Sequence, residues 1–301
     1  MRIAELFTTG GTTAVGGGKR PRDEDLDLFG MTHVGRVRTE NQDHFLLATV
    51  HPQIVIHNTS LPGSTDFPLR GQRLATILLV ADGVGGGVAG EEASRLATET
   101  ITRYVVTTMR CYHSAGPNRD REFLDALNEA AQEAHAAVRA DAASQHEGEI
   151  NATTMTLGIV VWPWLYVMQV GDSRYYYFAG GKLRQLSRDQ TVAQDLVEKG
   201  LLSATQAQSS PFNNILSSAL GGDHAAPVVT RVDIREPGSV HLVCSDGLTK
   251  HVSDGEIAEH LRTMISAEQV TRALVDLALA RGGRDNITVV VGRARKSVER
   301  P

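Results

Sequence analysis

Five aspartates sit in short polar motifs at or near the ends of apolar runs. They are Asn41-Gln42-Asp43, Ala81-Asp82-Gly83, Gly171-Asp172-Ser173-Arg174, Cys244-Ser245-Asp246-Gly247 and Arg284-Asp285-Asn286. Four adjoin runs with β-strand character, at 77–80, 166–170, 240–243 and 287–291. Carboxylates carried to the ends of neighbouring strands converge on one small volume and repel one another unless cations neutralise them. Hard divalent ions such as Mg²⁺ or Mn²⁺ suit all-oxygen ligand sets. The pattern therefore reads first as a metal site built from carboxylates. Taken singly, each Asp-Gly or Asp-Asn pair is also an ordinary turn former.

The elements that must hold these motifs alternate in blocks. Strands are predicted over 29–33, 44–49, 75–80, 155–161, 165–170, 175–178, 240–244 and 287–292. Gly180-Gly181 separates 175–178 from Lys182, and a glycine pair tolerates positive φ, so a tight hairpin is expected there. Two long helices follow the second aspartate motif. The first, 91–109, aligns Ala93, Ala97, Ile101, Tyr104 and Val105; the second, 120–143, aligns Leu124, Leu127, Ala131, Ala134 and Val138. Ser253-Asp254-Gly255-Glu256 and Ser266-Ala267-Glu268-Gln269 both have the spacing of a capping box, and Gly282-Gly283 should stop the second of these helices. Meanders of strands with helices inserted in pairs favour two antiparallel sheets with helices outside over a βαβ repeat.

Composition sets outer bounds. The chain has 301 residues, 41% of them hydrophobic, enough for a sizeable core. A net charge of −5 gives no reason to expect nucleic acid or an anionic membrane as partner. The two cysteines, Cys111 and Cys244, form no CxxC pair, which fits a reducing cytosol, and Cys244 lies in an apolar run as a buried thiol. No secretory signal is visible, and the apolar run 156–170 is too short to span a bilayer. Residues 1–27, with a Gly/Thr-rich stretch and opposed charge clusters, read as a flexible N-terminal tail, 28–294 as one domain and 295–301 as a C-terminal tail. Residues 58–72, rich in Pro, Gly, Ser and Thr, read as a surface loop.

Eight motifs, taken in order, resemble a known family: Arg38-x-x-Asn41-Gln42-Asp43, Asp82-Gly83-x-Gly85-Gly86, Gly90-Glu91-x-Ala93-Ser94, Thr153-Thr154-x-Thr156-Leu157, Val170-Gly171-Asp172-Ser173-Arg174, Ala219-Leu220-Gly221, Ser245-Asp246-Gly247-Leu248-Thr249 and Asp285-Asn286-Ile287-Thr288. They are similar to the successive motifs of the metal-dependent PPM (type 2C) serine/threonine protein phosphatases, in particular the bacterial single-domain branch. The resemblance implies an α+β fold, a four-layer α/β/β/α sandwich of two central antiparallel sheets flanked by helices. It implies two core Mn²⁺ or Mg²⁺ ions and a weaker third. Asp82 would bridge the two core ions, the Gly83 carbonyl would bind one of them, and Asp246 and Asp285 would hold the other. Asp43 would bind metal or its waters, Asp172 would support the third ion with Asp246, and Arg38 would grip the substrate phosphate.

The implied reaction is hydrolysis of phosphoserine and phosphothreonine by direct attack of a metal-bridging hydroxide on phosphorus. Residue types agree: water shared by two divalent ions ionises near neutrality, and a guanidinium fork matches two phosphate oxygens. Neither cysteine lies in a Cys-x5-Arg phosphate loop. Competing readings remain for single residues: Asp172 paired with Arg174, and Arg38 in a surface ion pair. Gly85-Gly86-Gly87 reads as tight backbone packing beside the metals rather than a phosphate cradle. The family usually has glutamate at the position of Gln42, read here as a hydrogen-bonding group behind the ligands. Many eukaryotic members carry histidine directly after the Asp-Gly; here Val84 and Gly87 stand where histidines occur. The proton for the leaving alkoxide is then expected from a metal-bound water near Asp172. His33 and His44 are read as supporting groups. Residues 190–213 resemble the flap beside the catalytic cleft, expected to move and touch the phosphoprotein. Expected partners are phosphorylated proteins made by a Ser/Thr kinase, with no nucleic acid or membrane. A cytoplasmic monomer is expected. The alternative from another class is a pseudophosphatase that binds phosphoproteins without cleaving them.

Overall fold

The structure, a computed structural model, describes residues 20–53, 56, 70–85, 88–113, 120–145, 151–208 and 210–295. Outside them lie most of the predicted tails, Gly86, Gly87 and most of the predicted loop 58–72. In chain order the elements are β1 (Leu26–His33), β2 (Asp43–Val50), β3 (Ala75–Val84), α1 (Val88–His113), α2 (Asp120–Gln145), β4 (Ala152–Thr153), β5 (Met155–Val161), β6 (Trp164–Val170), β7 (Arg174–Ala179), β8 (Lys182–Gln185), α3 (Val192–Glu198), α4 (Ala204–Gln208), β9 (Val228–Asp233), β10 (Val240–Cys244), α5 (Asp246–Thr249), α6 (Asp254–Arg262), α7 (Ala267–Ala280) and β11 (Ile287–Ala294).

Strand side chains alternate between faces, and here both faces are covered. In β3, Ile77 and Leu79 face α1 and α2, while Leu78 and Val80 face the other sheet. In β10 and β11, Leu242, Val289 and Val291 face the C-terminal helices, while Val243 and Val290 face inward between the sheets. Three apolar layers result, one between the sheets and one under each helical layer. This burial on both sides is why the sequence shows continuous apolar runs rather than polar alternation. One sheet runs β1-β11-β10-β7-β8, the other β2-β3-β5-β6-β9 with β4 pairing β3, and all pairings are antiparallel. The α/β/β/α sandwich implied by the resemblance is the observed one.

The helices pack as their spacing dictates. Ala93, Ala97, Ile101 and Val105 of α1 meet Leu127, Ala131, Ala134 and Val138 of α2 in one core, and alanines at fourfold spacing let the axes approach. α6 opens with a complete capping box, Ser253 accepting from Glu256 N–H and Glu256 accepting from Ser253 N–H. α7 keeps only half of the expected box: Ser266 Oγ accepts from Gln269 N–H, but the Gln269 side chain accepts from Ile265 N–H. Gly180 and Gly181 adopt φ of +55° and +76° and join β7 to β8 in the expected tight turn.

Two expectations need correction. Residues 23–27, read as tail, are part of the fold. Leu26 and Asp27 open β1, and Asp27 is buried, pairing with Arg293 at 2.9 Å and accepting from Ala267 N–H at the start of α7. Asp23 pairs with Arg73 at 2.6 Å. An acidic run looks solvated in sequence, but these acids have specific cationic partners far along the chain. The second correction is β9, absent from the predicted strands. It is an edge strand beside β6 with mostly exposed residues, so it carries little hydrophobic signal.

The pairing explains where the aspartates go. The end of β10 lies beside the start of β11, whose Ile287 pairs with His33 at the end of β1. The start of β2 lies beside the end of β3 in the facing sheet. Asp43, Asp82, Asp246 and Asp285 are therefore carried to one edge of the sandwich.

Candidate active site

Asp43 and Asp82 are cross-strand partners in the β2–β3 ladder. Asp43 is buried, whereas Asp82, Asp172, Asp246 and Asp285 are partly exposed at the sheet edge. Asp43 Oδ2 accepts from Ser245 Oγ at 2.7 Å and Thr288 Oγ1 at 2.6 Å, two residues adjoining the Asp246 and Asp285 motifs. Burial pushes the Asp43 carboxyl up to about 6, against the pull of those two hydroxyls, and nearby Asp246 and Asp285 add to the rise. Asp82 is raised well above the usual carboxylate range by burial and then by Asp43, Asp246, Asp172 and Asp285. Burial, then Asp246 and Asp189, lift Asp172 to about 8. Asp82 thus feels the charge of the other four.

The backbone around them is rigidly tied. Asp82 N–H donates to Thr154 Oγ1 at 3.1 Å, and Asp82 C=O accepts from Thr154 N–H at 2.8 Å and Thr153 Oγ1 at 2.9 Å. Gly83 N–H donates to Gln42 C=O at 3.1 Å. A Cβ on Gly83 would stand 2.2 Å from Gly90 O, and one on Gly247 1.8 Å from Asn286 O, so both motifs need glycine for backbone approach. Gly85 has φ of +153°, and Gly86 and Gly87 of the same run lie outside the described residues. Asn286 pins the first motif to the last: its Oδ1 accepts from Gln42 N–H, and its Nδ2 donates to Val34 and Glu40 carbonyls.

Two cations enter the cluster. Lys250 Nζ lies 2.5 Å from Asp246 Oδ2 and 2.9 Å from Asp285 Oδ2. Arg38 forks onto Asp285, Nε to Oδ1 at 2.9 Å and Nη2 to Oδ2 at 3.3 Å. Burial alone would raise Asp285, but Lys250 and Arg38 outweigh it and hold this carboxyl below its usual value. Arg38 therefore makes the ion pair weighed as its competing role, with its side chain half exposed beside the carboxylates. The competing reading of Asp172 fails: Arg174 forks onto Asp189 at 2.7–3.1 Å and donates to Tyr176 Oη. His44 Nδ1 lies 2.9 Å from Ser94 Oγ and His33 Nδ1 accepts from Gly35 N–H, both supporting contacts. Ser245, Thr288, Asn286 and Lys250 escaped the sequence reading of roles. The first three lie inside quoted motifs, but nothing local to them signals a partner more than 200 residues away. Lys250 had one available signal, its position four residues after Asp246.

Among the described residues, no three acidic, histidine or cysteine side chains close on one point as a finished metal cage; Lys250 and Arg38 take up carboxylate oxygens there instead. The donors nevertheless fit divalent ions. Asp43 Oδ1 and Asp246 Oδ1 are buried and find no hydrogen-bond partner among the described residues. Buried carboxylate oxygens without donors are costly unless a cation meets them. The set is all oxygen, and cations would relieve the repulsion that adds to burial in raising Asp43, Asp82 and Asp172.

Beside the cluster lies an open groove of about 880 Å³ between residues 210–214 and the segments carrying Lys250, His251, Arg281, Arg284 and Asp285. A second cavity, of about 50 Å³, lies at the opposite end of the sheets between Leu28, Leu78 and Ile234, and among the described residues no carboxylate lines it. Among the described residues no helix is long and apolar enough to cross a membrane.

The comparisons with known proteins agree with this architecture. The family model described as protein phosphatase 2C matches residues 67–280. Serine/threonine protein phosphatase PstP of Mycobacterium tuberculosis is 36% identical over 217 residues, 72% of this chain and 40% of that protein. The chain thus spans well under half the length of that relative. Serine/threonine phosphatase stp of Listeria monocytogenes is 31% identical over 215 residues, 71% of this chain and 83% of that protein. The crystal structure of M. tuberculosis PstP/Ppp superimposes with a TM-score of 0.70 at 28% identity, covering 90% of this chain and 99% of that one. The PstP catalytic domain in complex with two manganese ions gives a TM-score of 0.67 at 28% identity, with the same coverage. The family match starts after the first motif, but the structural likeness extends over nearly the whole fold. The chain belongs to the protein phosphatase 2C family.

Proposed function

We propose that this chain is a metal-dependent phosphoprotein phosphatase acting on phosphoserine and phosphothreonine. The observation that carries the reading is the gathering of Asp43, Asp82, Asp172, Asp246 and Asp285 at one edge of the sandwich, four of them raised by burial first and by neighbouring aspartates second, with two oxygens lacking donors. Asp82, the Gly83 carbonyl, Asp246 and Asp285 would hold two core Mn²⁺ or Mg²⁺ ions. Asp43 would hold metal or its waters, and Asp172 with Asp246 a weaker third. The manganese-bound relative supports this assignment. Such ions, when bound, lower the pKa of water and neutralise phosphate oxygens.

The chain's own groups supply the rest. Arg38, half exposed beside Asp285, presents a guanidinium fork that would leave the carboxylate for two phosphate oxygens. Ser245 and Thr288 fix the Asp43 carboxylate, and Asn286 fixes the segment from Arg38 to Asp43 against Asp285. Residues 190–213, carrying α3 and α4, form the flap that would meet the phosphoprotein. Substrates would be products of a Ser/Thr kinase, and the working form a cytoplasmic monomer without nucleic-acid or membrane partners.

Phosphate release from a phosphothreonine peptide tests the reading, measured with Mn²⁺, with EDTA, and in Asp82→Asn with Mn²⁺. Turnover only in the intact protein with metal is expected. No turnover in a folded, metal-loaded protein would leave the phosphoprotein-binding pseudophosphatase instead.

A further inference from the structure

The groove beside the carboxylates has a one-sided charge. Among the described residues its only acid is Asp285, paired with Lys250 and Arg38. Arg281 is fixed as a wall: it forks onto Glu256 at 2.5–2.9 Å and donates to the His251 carbonyl. Arg284 differs. Its side chain is exposed and makes no ion pair among the described residues, while its backbone N–H donates to His251 Nε2 at 3.1 Å. The facing wall, Ser210, Asn213 and Asn214, is polar and uncharged. In a chain of net charge −5, this groove is a local positive site directly beside Asp285.

We propose that this groove binds the polypeptide flanking the phosphorylated residue and selects acidic side chains there, with Arg284 as the specificity-determining cation. This rests on the phosphatase reading. A phosphoresidue at the carboxylate cluster directs its neighbours across Asp285 toward Arg284. An acidic neighbour gains an unpaired guanidinium; a basic one meets Arg284 and Lys250 as like charges. The pair is partly exposed, so the preference is modest and screened by salt.

The test uses the full chain with Mn²⁺ and two phosphothreonine peptides, flanked on both sides by Asp or by Ala, with an aryl phosphate as the measure of an intact centre. The expected kcat/KM favours the acidic peptide by about fivefold at low salt, and the ratio falls toward one in Arg284→Glu. Equal rates on both peptides, or an unaltered ratio in Arg284→Glu, would overturn the proposal. If Arg284→Glu loses aryl phosphate turnover, Asn213→Asp on the facing wall makes the same comparison. If the unmodified protein cleaves nothing, the phosphatase reading has failed, and fluorescence anisotropy with the same peptides decides the groove. Tighter binding of the acidic peptide, weakened by Arg284→Glu, supports it; equal binding overturns it.

Discussion

Asp43 and Asp82 stand directly opposite one another in the antiparallel pairing of β2 with β3. Like charges in that position destabilise a sheet. Both carboxyls are raised by burial first and by neighbouring aspartates second, and the proposed cations would relieve that repulsion.

Asp82→Asn should therefore separate stability from function. In EDTA the variant should melt higher than the unmodified protein, by about 2–4 °C for each kcal/mol of repulsion removed. Mn²⁺ should no longer raise its melting temperature, and phosphate release should fall by about 100-fold or more. Thermal melts with and without Mn²⁺ check this. A lower melting temperature with an intact metal response would make Asp82 a turn residue only.

The pH dependence of the chelated protein follows from the same carboxyls. Asp172 is lifted from 3.8 to about 8 and Asp43 to about 6. A raised carboxyl favours the folded state when protonated, so its stabilisation is full at low pH and is lost as pH climbs through the folded value. Buried His241 works oppositely: burial lowers it from 6.5 to about 4, so below pH 6.5 the unfolded chain takes up the proton first. Between pH 8 and 6.5 the raised carboxyls dominate among the described residues. Denaturant melts in EDTA should show stability rising as pH falls through that window, then levelling as His241 opposes it. Saturating Mn²⁺ should flatten the rise. A fall in stability from pH 8 to 6.5 would contradict the lifted carboxyls.

Much of this was legible in the sequence, for physical reasons. Strands covered on both faces appear as apolar runs, so β3, β5, β6, β10 and β11 could be read directly. Four of the five site aspartates follow or precede such a run, so their place at a sheet edge was legible too. β9 was not, because an edge strand with most residues exposed needs no apolar pattern. Asp27 was not, because its partners Arg293 and Ala267 lie more than 200 residues away. The same distance hid Ser245 and Thr288 as donors to Asp43.

Those two hydroxyls give a third prediction. Each lowers the Asp43 carboxyl against the effect of burial. Ser245→Ala and Thr288→Val remove one donor apiece, so the carboxyl should rise further and compete more strongly for a proton. Supporting hydrogen bonds of this kind are worth about 10–100-fold in metal affinity or activity. Calorimetric Mn²⁺ titrations should show weaker binding, with the loss largest near pH 6 and smaller at pH 8. A loss equal at both pH values would assign the hydroxyls to packing rather than to the charge state of Asp43.

Lys250 gives the last. Its ammonium lies on Asp246 Oδ2 and Asp285 Oδ2, at 2.5 and 2.9 Å, the two carboxylates proposed to hold one ion. A divalent ion and an ammonium cannot share the same oxygens without mutual repulsion, so metal entry must push Lys250 aside. Lys250→Met keeps the apolar stem and removes the competing charge. Its Mn²⁺ affinity should rise, by about fivefold for a partly exposed pair. Its stability in EDTA should fall, because Asp246 and Asp285 then repel without a counter-charge. Calorimetric titration and melting of the same preparation report both effects. Weaker metal binding in Lys250→Met would reverse the assignment: the lysine would then act as the group that holds the two carboxylates in position for the ion.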